Sequence, residues 1–246
     1  MKMSESRKEV LQWLKGSDLT TNHDTALKKH GSGTGKRLLD SKEFKSWMEE
    51  DGKILWLNGI PGAGKTALSS TVIEHLISEC KSSVENRMAY YYFDFREHGK
   101  QTASDCLRSL VHQLCEQSER IPRVVQDLYT ECKGVTPSLS QPTMTLIGLF
   151  EESKYFIVID ALDECREEEE EHERELFFEA LQEIVSSASG RYSIFIASRP
   201  EVDISQNLTD LDAINFNIQH NLINADIHSH VRACLEKEVR FKSGHP

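Results

Sequence analysis

The segment GIPGAGKT, Gly59 to Thr66, satisfies every fixed position of the pattern G-x-x-x-x-G-K-[ST]. ILWLN, Ile54 to Asn58, is a short and mostly apolar stretch that predicts a strand before it. Ala67 to Cys80 has apolar side chains at helical spacing and predicts a helix after it. Strand, glycine-rich turn and helix in this order indicate a phosphate-binding loop, or P-loop, rather than a turn that matches by chance.

The residue types of this loop predict how it would hold a nucleotide. Its glycines let the backbone pass close to phosphate oxygens, so that main-chain N–H groups and the positive helix end face them. We expect Lys65 to reach the β- and γ-phosphates and the Thr66 hydroxyl to bind Mg²⁺. The predicted nucleotide contacts in this segment are Gly59, Pro61, Gly62, Ala63, Gly64, Lys65, Thr66 and Ala67.

A second segment, YFIVIDALDEC from Tyr155 to Cys165, is an apolar run that ends in carboxylates. It is typical of a buried parallel strand whose carboxyl end delivers acids to the sheet edge, as in a Walker B motif. We expect Asp160 to bind Mg²⁺ directly or through water. Asp163 and Glu164 are both candidates to orient or deprotonate the attacking water, and the sequence does not rank them. A strand followed by a solvated acidic loop is the alternative.

A third predicted strand, YSIFIASRP from Tyr192 to Pro200, places Arg199 at the same kind of strand end. An arginine there could recognise the γ-phosphate, the group that distinguishes a triphosphate from a diphosphate. The alternative is an ordinary surface arginine paired with a neighbouring acid.

GIPGAGKT, FIVIDALDEC and IFIASRP, in this order, resemble the NACHT branch of the STAND class of P-loop NTPases. They are most similar to fungal NOD-like proteins linked to heterokaryon incompatibility. Tyr90–Cys115 resembles the second strand and helix of that group, and Thr34–Gly62 resembles its approach to the P-loop. Asn224–Leu235 is similar to the helix after its nucleotide domain. The matched segments cover about four-fifths of the chain.

The resemblance implies a fold, since Met88–Phe95 supplies a strand between the two Walker strands and Ala213–Ile218 a last one. The expected fold is an α/β three-layer P-loop NTPase sandwich with a central parallel sheet of order 5-1-4-3-2 and an N-terminal helical flank. The resemblance also implies the Asp-Gly/Ala-hydrophobic-Asp-Glu form of Walker B, which Asp160–Glu164 fits. It implies self-association when triphosphate is bound, and a site for either ATP or GTP.

The flanks of the P-loop carry further expectations. Glu5–Lys15 predicts an amphipathic helix, Thr20–Gly35 a polar segment, and Leu38–Trp47 one helix. In STAND relatives the segment at this distance before the P-loop lies against the base, so the resemblance implies that Thr34 and Arg37 contact the base. A capped linker is an equally good interpretation of these two residues.

The domain expectation is a helical flank at residues 1–50, a NACHT nucleotide-binding domain at 51–222, and the start of a following helical domain at 223–246. In the family, a winged helix follows, with a histidine that contacts diphosphate. The chain stops at Pro246. We therefore do not predict that latch here, and a segment of a longer protein or a reduced relative are both compatible with the sequence.

The composition excludes some partners. A net charge of −11 and a pI near 5.4 argue against broad binding to nucleic acid or anionic membranes. The six cysteines form no CxxC pair, which indicates a reducing, cytoplasmic environment. The acidic run Glu167–Glu175 is interpreted as a solvated loop or helix start. No apolar stretch is long enough to predict a membrane segment.

The function predicted from the sequence is a Mg²⁺-dependent ATP- or GTP-binding switch that hydrolyses slowly. Two alternatives belong to other classes. One is a turnover NTPase, such as an AAA+-like motor or a phosphotransferase, which needs an acceptor site or an arginine from a neighbour. The other is a scaffold that retains nucleotide and never cleaves it.

Overall fold

The computed structural model describes residues 2–28, 34–83, 85–97, 100–166, 172–188 and 191–219. The helices are α1 (Lys2–Leu14), α2 (Thr20–Lys28), α3 (Thr34–Asp40), α4 (Lys42–Glu49), α5 (Lys65–Ser82), α6 (Ala103–Glu116), α7 (Arg123–Cys132), α8 (Ser140–Phe150), α9 (Glu173–Ser187) and α10 (Val202–Asp210). The strands are β1 (Lys53–Asn58), β2 (Asn86–Tyr92), β3 (Lys154–Asp160), β4 (Tyr192–Ser198) and β5 (Ile214–Asn217). A 3₁₀ turn, Leu162–Glu164, follows β3.

The strands form one parallel sheet in the order β2-β3-β4-β1-β5. This is the predicted order 5-1-4-3-2 counted from the opposite edge, so the fold prediction is confirmed. Because every strand is parallel, the connections return over the faces of the sheet as helices.

The register of the sheet brings the carboxyl ends of the strands level with one another. Asn58 of β1 lies opposite Ser198 of β4 and opposite Asn217 of β5. On the other side, Tyr92 at the end of β2 lies opposite Asp160 at the end of β3. The segments that follow β1, β2, β3 and β4 therefore emerge along one sheet edge, where ligands of open α/β sheets bind.

The sheet is buried on both faces, because alternate side chains of each strand enter different apolar clusters. Ile54 and Trp56 of β1 belong to one cluster, which includes α1, α6, α8 and α9. Leu55 and Leu57 belong to the other, which includes α4 and α5. Helices cover both faces, which gives the predicted three layers.

The single helix predicted from Leu38 to Trp47 is wrong, because the chain breaks at Ser41. The Ser41 hydroxyl accepts a hydrogen bond from the Phe44 N–H over 3.1 Å, which caps the start of α4. The same hydroxyl donates to the Leu38 carbonyl at 2.7 Å. Serine satisfies the free backbone groups at such a junction, which explains the two short helices.

Thr20–Gly35 is predicted only as a polar segment, and that prediction misses helix α2. The buried residues of this helix are His23 and Ala26. His23 is buried, with Nδ1 3.0 Å from the Tyr92 hydroxyl and Nε2 3.0 Å from a Glu74 oxygen. Partners this distant in the chain leave no local sequence signal, since periodicity reports apolar faces.

The remaining predictions concern the N-terminal helix, two segments outside the described residues, and membrane helices. Helix α1 is the amphipathic helix predicted at the N-terminus, and its Val10 and Leu14 pack into the cluster that contains α6. The segments Glu167–Glu171 and Asn224–Leu235 lie outside the described residues. None of the helices that the structure describes combines the length and apolar character needed to cross a bilayer.

Candidate nucleotide-binding site

The P-loop joins β1 to α5 through a turn that needs glycine at two positions. Gly62 and Gly64 have φ of 77° and 89°, in the left-handed region that L side chains avoid. Turns of this kind direct successive N–H groups into an anion-binding concavity. Gly64 is also the N-cap of α5, an 18-residue helix whose positive end lies at the loop.

Lys65, the first residue of α5, folds back onto the loop. Its ammonium donates to the carbonyl oxygens of Gly59 at 2.8 Å and of Ile60 at 3.2 Å. Burial lowers the pKa of Lys65, and the nearby carboxylates of Asp163 and Asp160 oppose this. The charged group thus lies inside the predicted phosphate site, held by two neutral acceptors that a phosphate could replace.

Asp160 ends β3 with only 1% of the residue exposed. The Ser69 hydroxyl donates to its Oδ1 at 2.6 Å. Burial raises the pKa of Asp160 to about 6, and the hydroxyls of Ser69 and Thr66 oppose the rise. A nearby cation would favour the ionised form of such a carboxylate.

The oxygen groups of Thr66 and Asp160 fit Mg²⁺, a hard cation that prefers oxygen ligands. In the described part of the chain, no cluster of three or more His, Cys, Asp or Glu side chains could hold a metal by itself. Mg²⁺ commonly binds through one or two carboxylates together with substrate phosphates. The donor set therefore suits a metal that arrives with a nucleotide.

The chain turns sharply after Asp160 because Ala161 adopts a left-handed conformation, with φ of 56°. Non-glycine residues reach this region at a cost of about 1–2 kcal/mol, and such strain concentrates at functional sites. The turn leads into the 3₁₀ segment that carries Asp163 and Glu164.

Asp163 is held by Arg199 from the end of β4. The Arg199 main-chain N–H donates to Oδ1 at 2.8 Å, and its Nε donates to Oδ2 at 2.5 Å. The hydrogen bond to Asp163 raises the pKa of Arg199. The acid-paired arginine that was an alternative for Arg199 is thus what the structure contains, but its partner is a candidate catalytic carboxylate.

Glu164 has different surroundings from its neighbour Asp163. It is half-buried, and its Oε2 accepts a hydrogen bond from the Phe95 N–H at 3.1 Å. Burial raises the pKa of Glu164, and the Phe95 bond opposes the rise. A carboxylate with a raised pKa near a phosphate site is suited to accepting a proton.

These groups surround one cavity of about 500 Å³. Its lining residues are Pro61, Gly62, Gly64, Lys65, Thr66, Ala67, Phe95, Asp160, Ala161, Asp163, Glu164 and Arg199. A second cavity of about 370 Å³ shares Thr66, Asp160, Ala161 and Glu164 with the first, and α2 forms part of its wall. Glu164 therefore borders two adjacent cavities.

Three of the predicted contacts, Gly59, Ala63 and Arg37, lie apart from this lining. Gly59 and Ala63 belong to the loop but not to the cavity wall. Thr34 begins α3, and Arg37 lies half-buried on the same helix. Arg37 is not among the residues that line the P-loop cavity, and the contacts of Thr34 and Arg37 with the base stay predictions.

Arg174 does not line the cavity but contacts the segment that carries Asp163, and the sequence interpretation missed it. It is buried in the first turn of α9 and reaches Glu201 Oε2 at 3.0 Å and Asp203 Oδ2 at 2.7 Å. It also contacts the Asp163 carbonyl at 3.4 Å. An arginine beside the positive end of a helix, within an acidic run, was the available signal, since the helix dipole disfavours a cation there.

Among solved structures, the chain is similar to Drosophila ORC bound to DNA, with 16% identity and a TM-score of 0.43 over 86% of this chain and 51% of that one. It is also similar to the Walker-type ATPase PABY2304 of Pyrococcus abyssi, with 15% identity and a TM-score of 0.41 over 76% and 52% of the two chains.

Among curated proteins, the vegetative incompatibility protein HET-E-1 of Podospora anserina is 26% identical over 144 residues. That match covers 52% of this chain and 10% of the relative, so the chain corresponds to a small part of that protein. The family model described as nephrocystin 3, N-terminal, matches residues 33–199, well over half of the chain. The chain therefore belongs to the nephrocystin 3 N-terminal family and is a NACHT-like P-loop NTPase, as its sequence motifs predict.

Proposed function

We propose that this domain binds a nucleoside triphosphate together with Mg²⁺, hydrolyses it slowly, and works as a switch between triphosphate and diphosphate states. One observation carries the proposal. Lys65, Thr66, Asp160, Glu164 and the Asp163–Arg199 pair surround a single cavity at the carboxyl edge of the sheet.

The P-loop would bind the phosphates. Its left-handed glycines and the start of α5 supply N–H donors, and Lys65 supplies a full charge. The Lys65 ammonium would exchange the carbonyl oxygens of Gly59 and Ile60 for phosphate oxygens. Because this half of the site recognises phosphate rather than a base, ATP and GTP are both candidate ligands.

Thr66 and Asp160 would hold Mg²⁺. When bound, the ion would act as a Lewis acid that stabilises the negative charge developing on the phosphates. The protein contributes a carboxylate that is buried and already oriented by the Ser69 hydroxyl. Mg²⁺ binding would keep Asp160 ionised, because a close cation favours the charged form.

The contacts favour different roles for the two neighbouring acids. Asp163 is engaged by both the main chain and the side chain of Arg199, so we assign it to positioning that arginine. Glu164 accepts one main-chain hydrogen bond and borders both cavities, so we assign it to polarising the attacking water. This ranks the two candidates that the sequence left equal.

The switch would act through Arg199. A γ-phosphate competes with Asp163 for the guanidinium, whereas a diphosphate leaves the Asp163–Arg199 pair intact. The two nucleotides would thus favour different arrangements at the end of β4, and we propose that the triphosphate arrangement favours self-association. A non-hydrolysable analogue should then increase the mass measured by light scattering, and an unchanged monomer with saturated nucleotide would contradict the self-association.

We also propose residues 51–222 as the nucleotide-binding unit, residues 1–50 as its helical flank, and residues 223–246 as the start of a further helical domain. A cytoplasmic location is supported by Cys106 and Cys115, whose thiols form no disulfide and are buried as small apolar groups.

The test compares Glu164→Gln with Asp163→Asn for nucleotide binding and phosphate release. If Glu164 polarises the water, its amide variant should bind triphosphate normally and hydrolyse it at least about 100-fold more slowly. Asp163→Asn should instead alter the discrimination between triphosphate and diphosphate. Hydrolysis by Glu164→Gln at the wild-type rate would refute the assignment. Wild type that binds nucleotide without any phosphate release would favour the scaffold alternative.

A further inference from the structure

Helix α5 contains two adjacent serines that are equally buried but have different partners. Ser69 and Ser70 are both 0% exposed. The Ser70 hydroxyl donates to the Ala67 carbonyl of the same helix at 2.8 Å. The Ser69 hydroxyl leaves the helix and donates to Oδ1 of Asp160 at 2.6 Å, across 91 residues of sequence. Of these two hydrogen bonds, only that of Ser69 reaches the predicted metal site.

The helix geometry explains how Ser69 reaches this carboxylate. Thr66 and Ser69 are three residues apart in α5, so their side chains lie on the same helix face. The Ser69 hydroxyl hydrogen-bonds to Asp160, and the Thr66 hydroxyl lowers the pKa of the same carboxylate. Since an ionised carboxylate only accepts hydrogen bonds, the Ser69 hydroxyl acts as the donor, and such charge-assisted bonds are short and strong.

We propose that Ser69 is the residue that positions the Asp160 carboxylate for Mg²⁺. This inference rests on the proposed function. Thr66 is itself a predicted metal ligand, so its contacts change when the metal binds. Ser69 is not a predicted ligand, and its bond to Oδ1 can persist with and without the ion, which would fix the orientation of the carboxylate in both states.

The expected size of the effect follows from comparable metal sites. Groups that hydrogen-bond to a metal ligand fix its orientation, and removing one costs about 10- to 100-fold in metal affinity. A purely structural bond between α5 and β3 would behave differently. Its loss would lower the stability of the fold but would weaken nucleotide binding equally with and without metal.

The experiment uses the full chain with Ser69→Ala, and Ser70→Ala as the matched control. The control removes an equally buried hydroxyl from the same helix, one that bonds only to that helix. The non-hydrolysable analogues AMPPNP and GMPPNP are titrated by calorimetry in Mg²⁺ and in EDTA. Binding of Mn²⁺ to the nucleotide-loaded protein is followed separately by electron paramagnetic resonance. Thermal unfolding of each variant reports its stability.

Ser69→Ala should weaken Mn²⁺ binding and the Mg²⁺-dependent part of analogue binding by about tenfold or more. Its affinity in EDTA should match wild type, and Ser70→Ala should match wild type throughout. If Ser69→Ala is too unstable to titrate, Ser69→Cys keeps the side-chain size with a weaker donor and should show a smaller loss of the same kind.

Two results would overturn the role of Ser69: unchanged metal dependence in both Ser69 variants, or equal weakening with and without metal. A wild-type chain that binds neither analogue would instead refute the proposed function itself.

Discussion

The two halves of the candidate site are built in different ways. The P-loop half depends on local backbone conformation, because Gly62, Gly64 and Lys65 act within a few residues of one another. The carboxylate half depends on contacts between distant segments. Asp163 meets Arg199 across 36 residues, and Glu164 meets the Phe95 amide across 69.

Because of this difference, we expect one half to control nucleotide affinity and the other to control the distinction between triphosphate and diphosphate. A local loop can hold phosphate whatever happens at its neighbours, so we expect it to dominate affinity. The carboxylate half joins the ends of β2, β3 and β4, so a ligand that alters one contact there can move several segments. We therefore expect it to control hydrolysis and the response to the γ-phosphate.

The largest expected effect is in the P-loop half. Lys65→Ala should weaken binding of triphosphate and of diphosphate by about 100-fold or more, because both lose their charged donor. Calorimetry measures this, with Lys53→Ala as the control. Lys53 lies at the other end of β1 and pairs with the exposed Glu50. Near-normal affinity in Lys65→Ala would show that the loop does not carry the binding.

Arg199→Ala tests the carboxylate half and should reduce the preference for triphosphate over diphosphate by about tenfold, with little change in diphosphate affinity. The reason is that only a γ-phosphate competes for this guanidinium. Arg191→Ala is the matched control, because Arg191 is exposed just before β4, at the opposite end of the strand. Equal weakening of both nucleotides by Arg199→Ala would contradict its role in discrimination.

The pH dependence of metal binding tests Asp160, where the two halves meet. Burial raises its pKa to about 6. Protons should therefore compete with Mg²⁺ below that pH and weaken Mg²⁺-dependent binding by about tenfold per pH unit. The EDTA-insensitive binding corrects for titration of the nucleotide itself, and Asp160→Asn should remove the pH dependence of the metal contribution. A metal contribution that stays constant from pH 7 to pH 5 would rule out this carboxylate as the ligand.

The same pKa shift has the opposite effect on stability when no metal is present. The folded-state pKa of Asp160 lies above its usual value of 3.8, so the folded chain binds this proton more tightly than the unfolded chain. Asp160 should therefore destabilise the metal-free fold above about pH 6 and progressively less as the pH falls toward 4. The difference in unfolding free energy between wild type and Asp160→Asn, measured across this range, reports the effect.

The smallest expected effect lies at the edge of the carboxylate half. Asn22 of α2 donates to Asp94 at 3.2 Å and accepts from the buried Lys100 at 2.6 Å. Asn22→Ala should lower the free energy of unfolding by about 1–2 kcal/mol, because both partners lose a hydrogen bond. Chemical denaturation measures this, and nucleotide affinity should stay near that of wild type. A loss of affinity as large as that of Lys65→Ala would show that α2 is part of the binding half.

The contrast between local and long-range contacts also explains which features could be predicted from the sequence. The P-loop, its flanking strand and helix, and the order of the sheet follow from local pattern, because glycine spacing and apolar runs are local properties. The sequence also identifies Asp160, since the strand that carries it is continuous. It does not identify the Ser41 break, the helix α2 or the buried Arg174, because their stabilising partners are polar or distant in the chain.

Every role proposed above requires the P-loop to bind the phosphates of a nucleotide that carries Mg²⁺. Titration calorimetry of the wild-type chain with Mg²⁺ and ATP, and separately with Mg²⁺ and GTP, tests this most directly. We expect saturable 1:1 binding of at least one of the two, weakened by EDTA and weakened about 100-fold or more in Lys65→Ala. Folded, ligand-free protein that produces no binding heat with either nucleotide would contradict it.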